Sequence, residues 1–269
     1  MRAGSFPRCS APPAAGEPPI VLTQNSLADS SYLEYVRFQY GDKLNPLTSE
    51  DSQNTFQAYL ADAQKRLQHD RDFPDEARQL RPGEAFQLIE GRLQVSGQIA
   101  VSTINEQLLH RLLQKNPVLA FALAESFPFQ SFYADATPLG PITELRVTDA
   151  ASALTADRAA ESLDYWRSTT QTLLADHAGS STVRKAYAKL ILGQAGLFED
   201  RKLTAAAESA YQLATSLNPG NPEAVLRYVN LLMQQQRHDE ARQVMQTAAS
   251  AAPDNQHFRE LLSNLNRMR

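Results

Sequence analysis

Like residues recur thirty-four positions apart toward the C-terminal end of this 269-residue chain: Pro219 and Pro253, Ala207 and Ala241, Ala214 and Ala248, Asn221 and Asn255, with Tyr211 answered by Met245. A fixed period of that size means one supersecondary unit used more than once. It constrains the fold more than local propensity does, because each unit buries its apolar face only against the next. In segment 222–255, Val225, Tyr228, Val229 and Leu232 fall at i, i+3, i+4 and i+7, one face of a helix; Ala241, Val244, Met245 and Ala248 repeat the spacing in a second. The two faces are expected to meet as an antiparallel hairpin, with Ala241 and Ala248 admitting close backbone approach and Tyr228 and Met245 filling the space between. Pro253, lacking an N–H, fixes the turn that follows. The preceding unit repeats the second helix as Ala207, Ala210, Tyr211 and Ala214, then Pro219. Its first helix is less regular: Phe198 stands where Leu232 stands one unit later, but Gly193 and Gly196 weaken it, and 196–202 reads as an enlarged inter-helix loop.

This interval and these residue types resemble the tetratricopeptide repeat over about 181–255; a helical bundle of Ala-rich helices is the competing reading. The resemblance implies helix pairs stacked into a short α-solenoid that holds a protein or peptide partner instead of performing chemistry. It also implies a concave surface lined by the first helix of each unit, here Glu223, Leu226, Asn230, Met233 and Gln234. Members that grip a C-terminal carboxylate use lysines and asparagines there. Asn230 fits that pattern, but Leu226 replaces a lysine and Glu223 repels a carboxylate. The same residues could instead pack against a neighbouring domain. Phe258, Leu261, Leu262 and Leu265 give a final helix, 255–268, one apolar face, while Arg259, Asn264 and Arg267 keep the other wet, as a capping helix needs.

The whole reads as α/β plus all-α in three parts. Residues 1–19 hold Pro7, Pro12, Pro13, Pro18 and Pro19 without periodicity and are expected to be disordered. Residues 20–150 read as a small three-layer-type α/β domain with a partly parallel sheet. Its expected strands are 20–23, 119–123 and one around Ile142, Leu145 and Val147, with a hairpin over 88–95. Its expected helices carry Leu27, Tyr32, Leu33 and Val36; then Phe56, Tyr59, Leu60, Ala63 and Leu67 behind a cap at Asp51 or Ser52; then Val101, Ile104, Leu108 and Leu112 over 97–115. Residues 151–269 read as helices over 155–176, 181–193, 204–217, 222–236, 239–251 (opened by Asp239) and 255–268.

A second resemblance rests on Val21-Leu22-Thr23-Gln24-Asn25-Ser26-Leu27-Ala28-Asp29 with Tyr32-Leu33-Glu34-Tyr35, on Leu93-Gln94-Val95-Ser96-Gly97-Gln98-Ile99-Ala100-Val101, and on Glu125-Ser126-Phe127-Pro128-Phe129. Together with the repeat at 222–232 these are similar to the soluble C-terminal part of a bacterial family of multi-spanning membrane proteins related to protein O-mannosyltransferases. That resemblance implies an accessory role beside a membrane glycosyltransferase, on the extracytoplasmic face. No residue here inherits a catalytic part. Without it, the default compartment is the cytoplasm.

Composition narrows the remaining options. A formal net charge of −4 and the absence of a basic run argue against a nucleic-acid binder. Cys9 is the only cysteine, so neither an internal disulfide nor a thiolate metal cluster can form. The longest apolar run, 117–124, is far short of the ~20 residues of a membrane span. Asp70-Arg71-Asp72 has the form of a metal–sugar-nucleotide motif but lacks a flanking apolar strand and reads as a solvated charge run. His69, His110, His177, His238 and His257 keep no metal-ligand spacing. Phe127, Phe129, Phe132 and Tyr133 form an aromatic cluster that reads as loop packing before it reads as a ligand site. No catalytic set, cofactor or metal is therefore expected, and the expected function is protein–protein interaction or scaffolding, with the glycosyltransferase-accessory role as the alternative.

Overall fold

The computed structural model describes residues 19–89, 92–124, 130–145, 154–176 and 180–267. The Pro-rich stretch 1–18 thus lies outside the described residues, as do Phe127, Phe129, Val147 and His177. The chain forms two compact units, Met1–Asn116 and Pro117–Arg269. The boundary expected near residue 150 falls in the undescribed stretch 146–153. No described helix is long and apolar enough to cross a membrane.

In the first unit the expected strand at 20–23 is absent. Val21 is 77% exposed, and the Thr23 amide donates to the Tyr32 hydroxyl at 2.6 Å instead of entering a ladder. A 3-10 turn at Gln24–Ser26 leads into α1 (Ser30–Tyr40), capped by Asp29, whose carboxylate accepts from the amides of Ser31 and Tyr32. α2 spans Ser49–Asp72. Its cap is Thr48, not Asp51 or Ser52: the Thr48 hydroxyl accepts from the Asp51 amide while the Asp51 carboxylate accepts from the Thr48 amide. Asp51 also holds Arg111 at 3.0 Å and Lys115 at 2.8 Å on α3 (Gln98–Lys115), fastening the two helices. The buried face of α2 is Thr55, Tyr59, Ala63 and Arg66, with Phe56 turned outward. On α3, Ile104, Leu108 and Leu112 are buried as expected, but Val101 is 53% exposed; Asn105 is buried beside it and accepts from the Ala28 amide at 3.1 Å. The expected hairpin is present: β1 (Ala85–Ile89) pairs antiparallel with β2 (Arg92–Ser96), Ile89 opposite Arg92.

The connection 73–84 is irregular in backbone yet pinned by charge. Arg66 reaches Glu84 through both terminal nitrogens, at 2.5 and 3.0 Å; the Tyr59 hydroxyl donates to Glu84 at 2.5 Å, and the Arg81 amide donates to it at 2.9 Å. Burial alone would raise the Glu84 carboxyl. These donors outweigh it, and the carboxyl is held down to about 2.

The second unit opens with strands, all antiparallel, in the order β3 (Phe121–Leu123), β5 (Ile142–Leu145), β4 (Ala136–Leu139). The expected partly parallel sheet is thus corrected. A parallel pair needs a crossover of a dozen or more residues, whereas β4 and β5 are joined by Gly140-Pro141 alone, with Gly140 at φ +58°. A three-layer α/β arrangement is absent among the described residues; the chain is mostly helical with this small sheet. α4 (Ala156–Ala175) and α5 (Ser181–Asp200) meet the sheet at one buried amide. Gln194 accepts from the Ser162 hydroxyl at 2.7 Å and the Trp166 indole N–H at 2.8 Å, and donates to the Gly140 carbonyl at 2.7 Å. Then follow α6 (Thr204–Leu217), α7 (Pro222–Gln234), α8 (His238–Ala251) and α9 (Gln256–Arg267).

α5 runs unbroken through Gly193 and Gly196, so the enlarged loop expected at 196–202 shrinks to Arg201–Leu203. The two glycines lower helix propensity by about 1 kcal/mol each. They sit in a stretch where Ile191, Leu192, Ala195, Leu197 and Phe198 are all buried, and that packing outweighs the loss.

Candidate functional site

The thirty-four-residue period is written into the backbone as well as the side chains. Lys202 and Gln236 both adopt left-handed conformations, φ 59° and 62°, at the ends of α5 and α7. Around them the hydrogen bonds repeat at the same interval. Leu203 N–H donates to Phe198 at 2.8 Å as Arg237 does to Leu232 at 2.9 Å; Lys202 donates to Glu199 as Gln236 does to Met233, both at 3.0 Å. This six-to-one closure with a left-handed residue ends a helix and turns the chain back. α5–α6 and α7–α8 are consequently two copies of one hairpin.

Each hairpin is closed by the residues its sequence period predicts. Ala207, Ala210, Tyr211 and Ala214 are fully buried in the first, and Ala241, Met245 and Ala248 in the second, with Val225, Tyr228, Val229 and Leu232 buried on α7; Val244, expected on the same face, is only half-buried and borders a groove. The step from α6 to α7 is set by Asn221, whose side chain accepts from the Glu223 and Ala224 amides, followed by Pro222 at the first helical position. Tyr211 and Tyr228 stack with centroids 6.4 Å apart across that step. Their hydroxyls are partnered: Tyr211 donates to Glu199 at 2.7 Å, and Tyr228 accepts from Gln212 at 2.9 Å. Burial pushes both phenols up, for Tyr211 reinforced by the Glu199 carboxylate.

With its other side buried, α7 turns a stripe at i, i+3, i+4, i+7 and i+11 outward. Glu223, Asn230 and Gln234 are exposed and Leu226 is half-buried. Met233 is half-buried and touches His238, sulfur to Nδ1 3.4 Å. The five residues expected to line a first-helix face therefore share one helix. Arg227 lies in the same stripe and was not expected there. It pairs with Glu223 at 3.1 Å. Burial would lower its pKa, but the Tyr211 hydroxyl and the carboxylates of Glu223 and Glu199 outweigh it and raise it. The signal for it is in the sequence: a Glu four residues before an Arg on a helix makes a surface pair. A groove elsewhere on the repeats escaped sequence reasoning altogether. Between α6 and α8 a groove of about 250 Å³ opens over Val225 and Tyr228, walled by Gln212, Thr215, Gln243 and Thr247.

The arrangement offers hydrogen bonding and packing, and the groups considered for chemistry are engaged in structure. Asp70 accepts from the Gln79 and Leu80 amides at 2.7 and 3.1 Å, and Asp72 accepts from Gln68, so the Asp-Arg-Asp sequence holds its own loop. Among the described residues no three His, Cys, Asp or Glu side chains converge as a metal site. Asp239 does not cap α8; Arg237 precedes the helix, and Asp239 pairs with Arg242 at 2.7 Å on the surface. Phe132 is buried and Tyr133 half-buried where the strands meet α5, leaving a cavity of about 20 Å³ beside Gly193 and Leu197, room for a single water.

No curated protein matches the chain, and nothing found supports the resemblance to a membrane protein family. Residues 197–265 match the family model described as tetratricopeptide repeat, a span from within α5 into α9. This stretch, with its two like-closed hairpins and following helix, is a tetratricopeptide repeat region.

Proposed function

We propose that the chain is a non-catalytic interaction or scaffold protein that holds a protein or peptide partner on the outward stripe of α7: Glu223, Leu226, Asn230, Met233 and Gln234, with Arg227 added. The observation that carries this reading is the stripe itself. A helix with six buried residues on its packing side leaves a row of two apolar, two amide and two charged side chains to the outside. Leu226 supplies desolvatable area, and the Asn230 amide can both donate to and accept from an extended backbone. Met233 can adjust its shape to a partner.

The repeats form a short solenoid ending at α9. At thirty-four-residue equivalents, buried Val225, Val229 and Leu232 of α7 become Arg259, Ser263 and Asn266 on α9, all exposed. α9 keeps Phe258 and Leu265 buried toward α8 and presents polar atoms where a further helix would have to pack. A groove built on so few helices is short, consistent with micromolar affinity, on the order of −8 kcal/mol.

The test is capture of partners by wild type against a Leu226→Asp/Asn230→Ala variant, each checked for an unchanged thermal transition. Loss of at least one specific partner is expected. Capture of every specific partner at wild-type level removes this face, and would turn attention to the groove between α6 and α8.

A further inference from the structure

The first unit carries a row of aromatic rings on α1 that is left open. Tyr32 and Tyr35 stack with centroids 6.2 Å apart, and Tyr35 meets Tyr40 edge-on at 6.4 Å. Phe38 extends the row three residues beyond Tyr35 and is 90% exposed; Tyr35 is 52% exposed. The core-facing side of the same helix is Leu33 and Val36, so packing of α1 does not account for these rings. A phenylalanine that open, one turn from the partly open tyrosines on an 11-residue helix, adds to an exposed aromatic surface of the kind that partners cover.

What reaches that surface is decided by the chain entering it. The Thr23 amide is hydrogen-bonded to the hydroxyl of Tyr32, the first ring of the row. Pro19 lies four residues before Thr23, within about 14 Å of extended chain. Residues 1–18 join the described chain at Pro19, and they contain Pro7, Pro12, Pro13 and Pro18. Proline-rich segments bind aromatic-lined surfaces because the pyrrolidine ring lies flat on an aromatic face and the restricted backbone loses little entropy on docking. The reach is sufficient. Tyr32 to Tyr40 spans about 12 Å of helix, and the six residues from Pro12 to Pro18 span about 19 Å at the polyproline rise.

We infer that the Pro-rich stretch, through Pro12, Pro13 and Pro18, docks in cis on the Tyr32–Tyr35–Phe38 row of α1. The row is then occupied by the chain's own segment, and a Pro-rich segment of another protein gains access only by displacing it.

The sole cysteine, Cys9, provides the probe. A nitroxide on Cys9 of the full chain should broaden the amide resonances of α1 more than those of α2 and α3. Phe38→Ala and Pro12→Ser/Pro13→Ser should each reduce that broadening at least threefold, and Phe38 is exposed enough for its removal to leave the fold intact. A synthetic peptide of residues 5–19 should shift the α1 resonances of the Pro12→Ser/Pro13→Ser chain and bind wild type at least fivefold more weakly. Broadening that is uniform along the chain, or unchanged in both variants, overturns the proposal. So does equal peptide binding to both chains, which would leave the row free for a partner.

Discussion

Replacing Gln194 by Met tests whether one buried amide holds the second unit together. Gln194 is 3% exposed and joins three elements: Ser162 and Trp166 of α4 donate to its oxygen, and its nitrogen donates to the turn between β4 and β5 at Gly140. Methionine has nearly the same volume, so no cavity opens and the loss measured is that of the hydrogen bonds. The Gly140 carbonyl is half-exposed and can turn to water at little cost. The indole N–H of Trp166, which is fully buried, and the Ser162 hydroxyl, 4% exposed, cannot. A buried donor left without an acceptor costs about 1–3 kcal/mol, and the serine hydroxyl can partly recover by bonding back to its own helix. The sum is about 2–5 kcal/mol, a large part of the stability of a domain this size. Trp166 is the only tryptophan, so its emission during urea unfolding reports this unit alone. With a slope of about 1–3 kcal/mol per molar, the midpoint should fall by roughly 1–2 M. Adding Ser162→Ala to Gln194→Met should restore about 1 kcal/mol by removing a stranded hydroxyl. A loss under about 1 kcal/mol from Gln194→Met, or no recovery in the double variant, would refute the reasoning.

Two further outcomes follow from packing and charge. Ala241→Glu should unfold the repeats at a cost of about 3 kcal/mol or more, since Ala241 is fully buried where α7 and α8 meet and a carboxylate there is oversized and unpaired; Asp239→Ala, two residues away on the exposed surface, is the control and should cost under about 0.5 kcal/mol by circular-dichroism melting. For the first unit, the Glu84 carboxyl is depressed to about 2 in the folded chain, so its contribution is fully present above the ordinary carboxylate range and is lost as pH falls from about 4.5 to about 2. Glu84→Gln should flatten the acid limb of the stability–pH curve in that window; an identical limb in wild type and variant would dissociate Glu84 from acid unfolding.

What the sequence disclosed and what it hid divide along one physical line. Features set by short-range periodicity were legible: the main hairpin faces of α7 and α8, the stop at Pro253, and the pairing of β1 with β2. Features set by contacts distant in sequence were not. Two glycines inside α5 argue locally for a break, and only the burial of Ile191 through Phe198 keeps the helix going. Residues 20–23 are apolar and β-branched like a buried strand, yet no strand among the described residues takes their amides and Tyr32 takes one. β4 was missed because Pro138 demotes a strand in any local reading. It is tolerated here at the edge of a sheet whose centre is β5.

The outward stripe of α7 shows the same division within a single helix. Its register follows from the buried residues: once Val225, Tyr228, Val229 and Leu232 face inward, Glu223, Asn230 and Gln234 have nowhere to go but out. Arg227 is different, because groups on two other helices as well as Glu223 act on its guanidinium. Tyr211 on α6 and Glu199 on α5 both act on its guanidinium, although Glu223 is its only neighbour in sequence. A partner meeting this stripe therefore meets an arginine already engaged by a carboxylate, and gains less from an acidic group there than from apolar contact with Leu226 and hydrogen bonds to Asn230. On the proposed reading, the two charges at the start of α7 orient an approaching segment, and the leucine and the asparagine hold it.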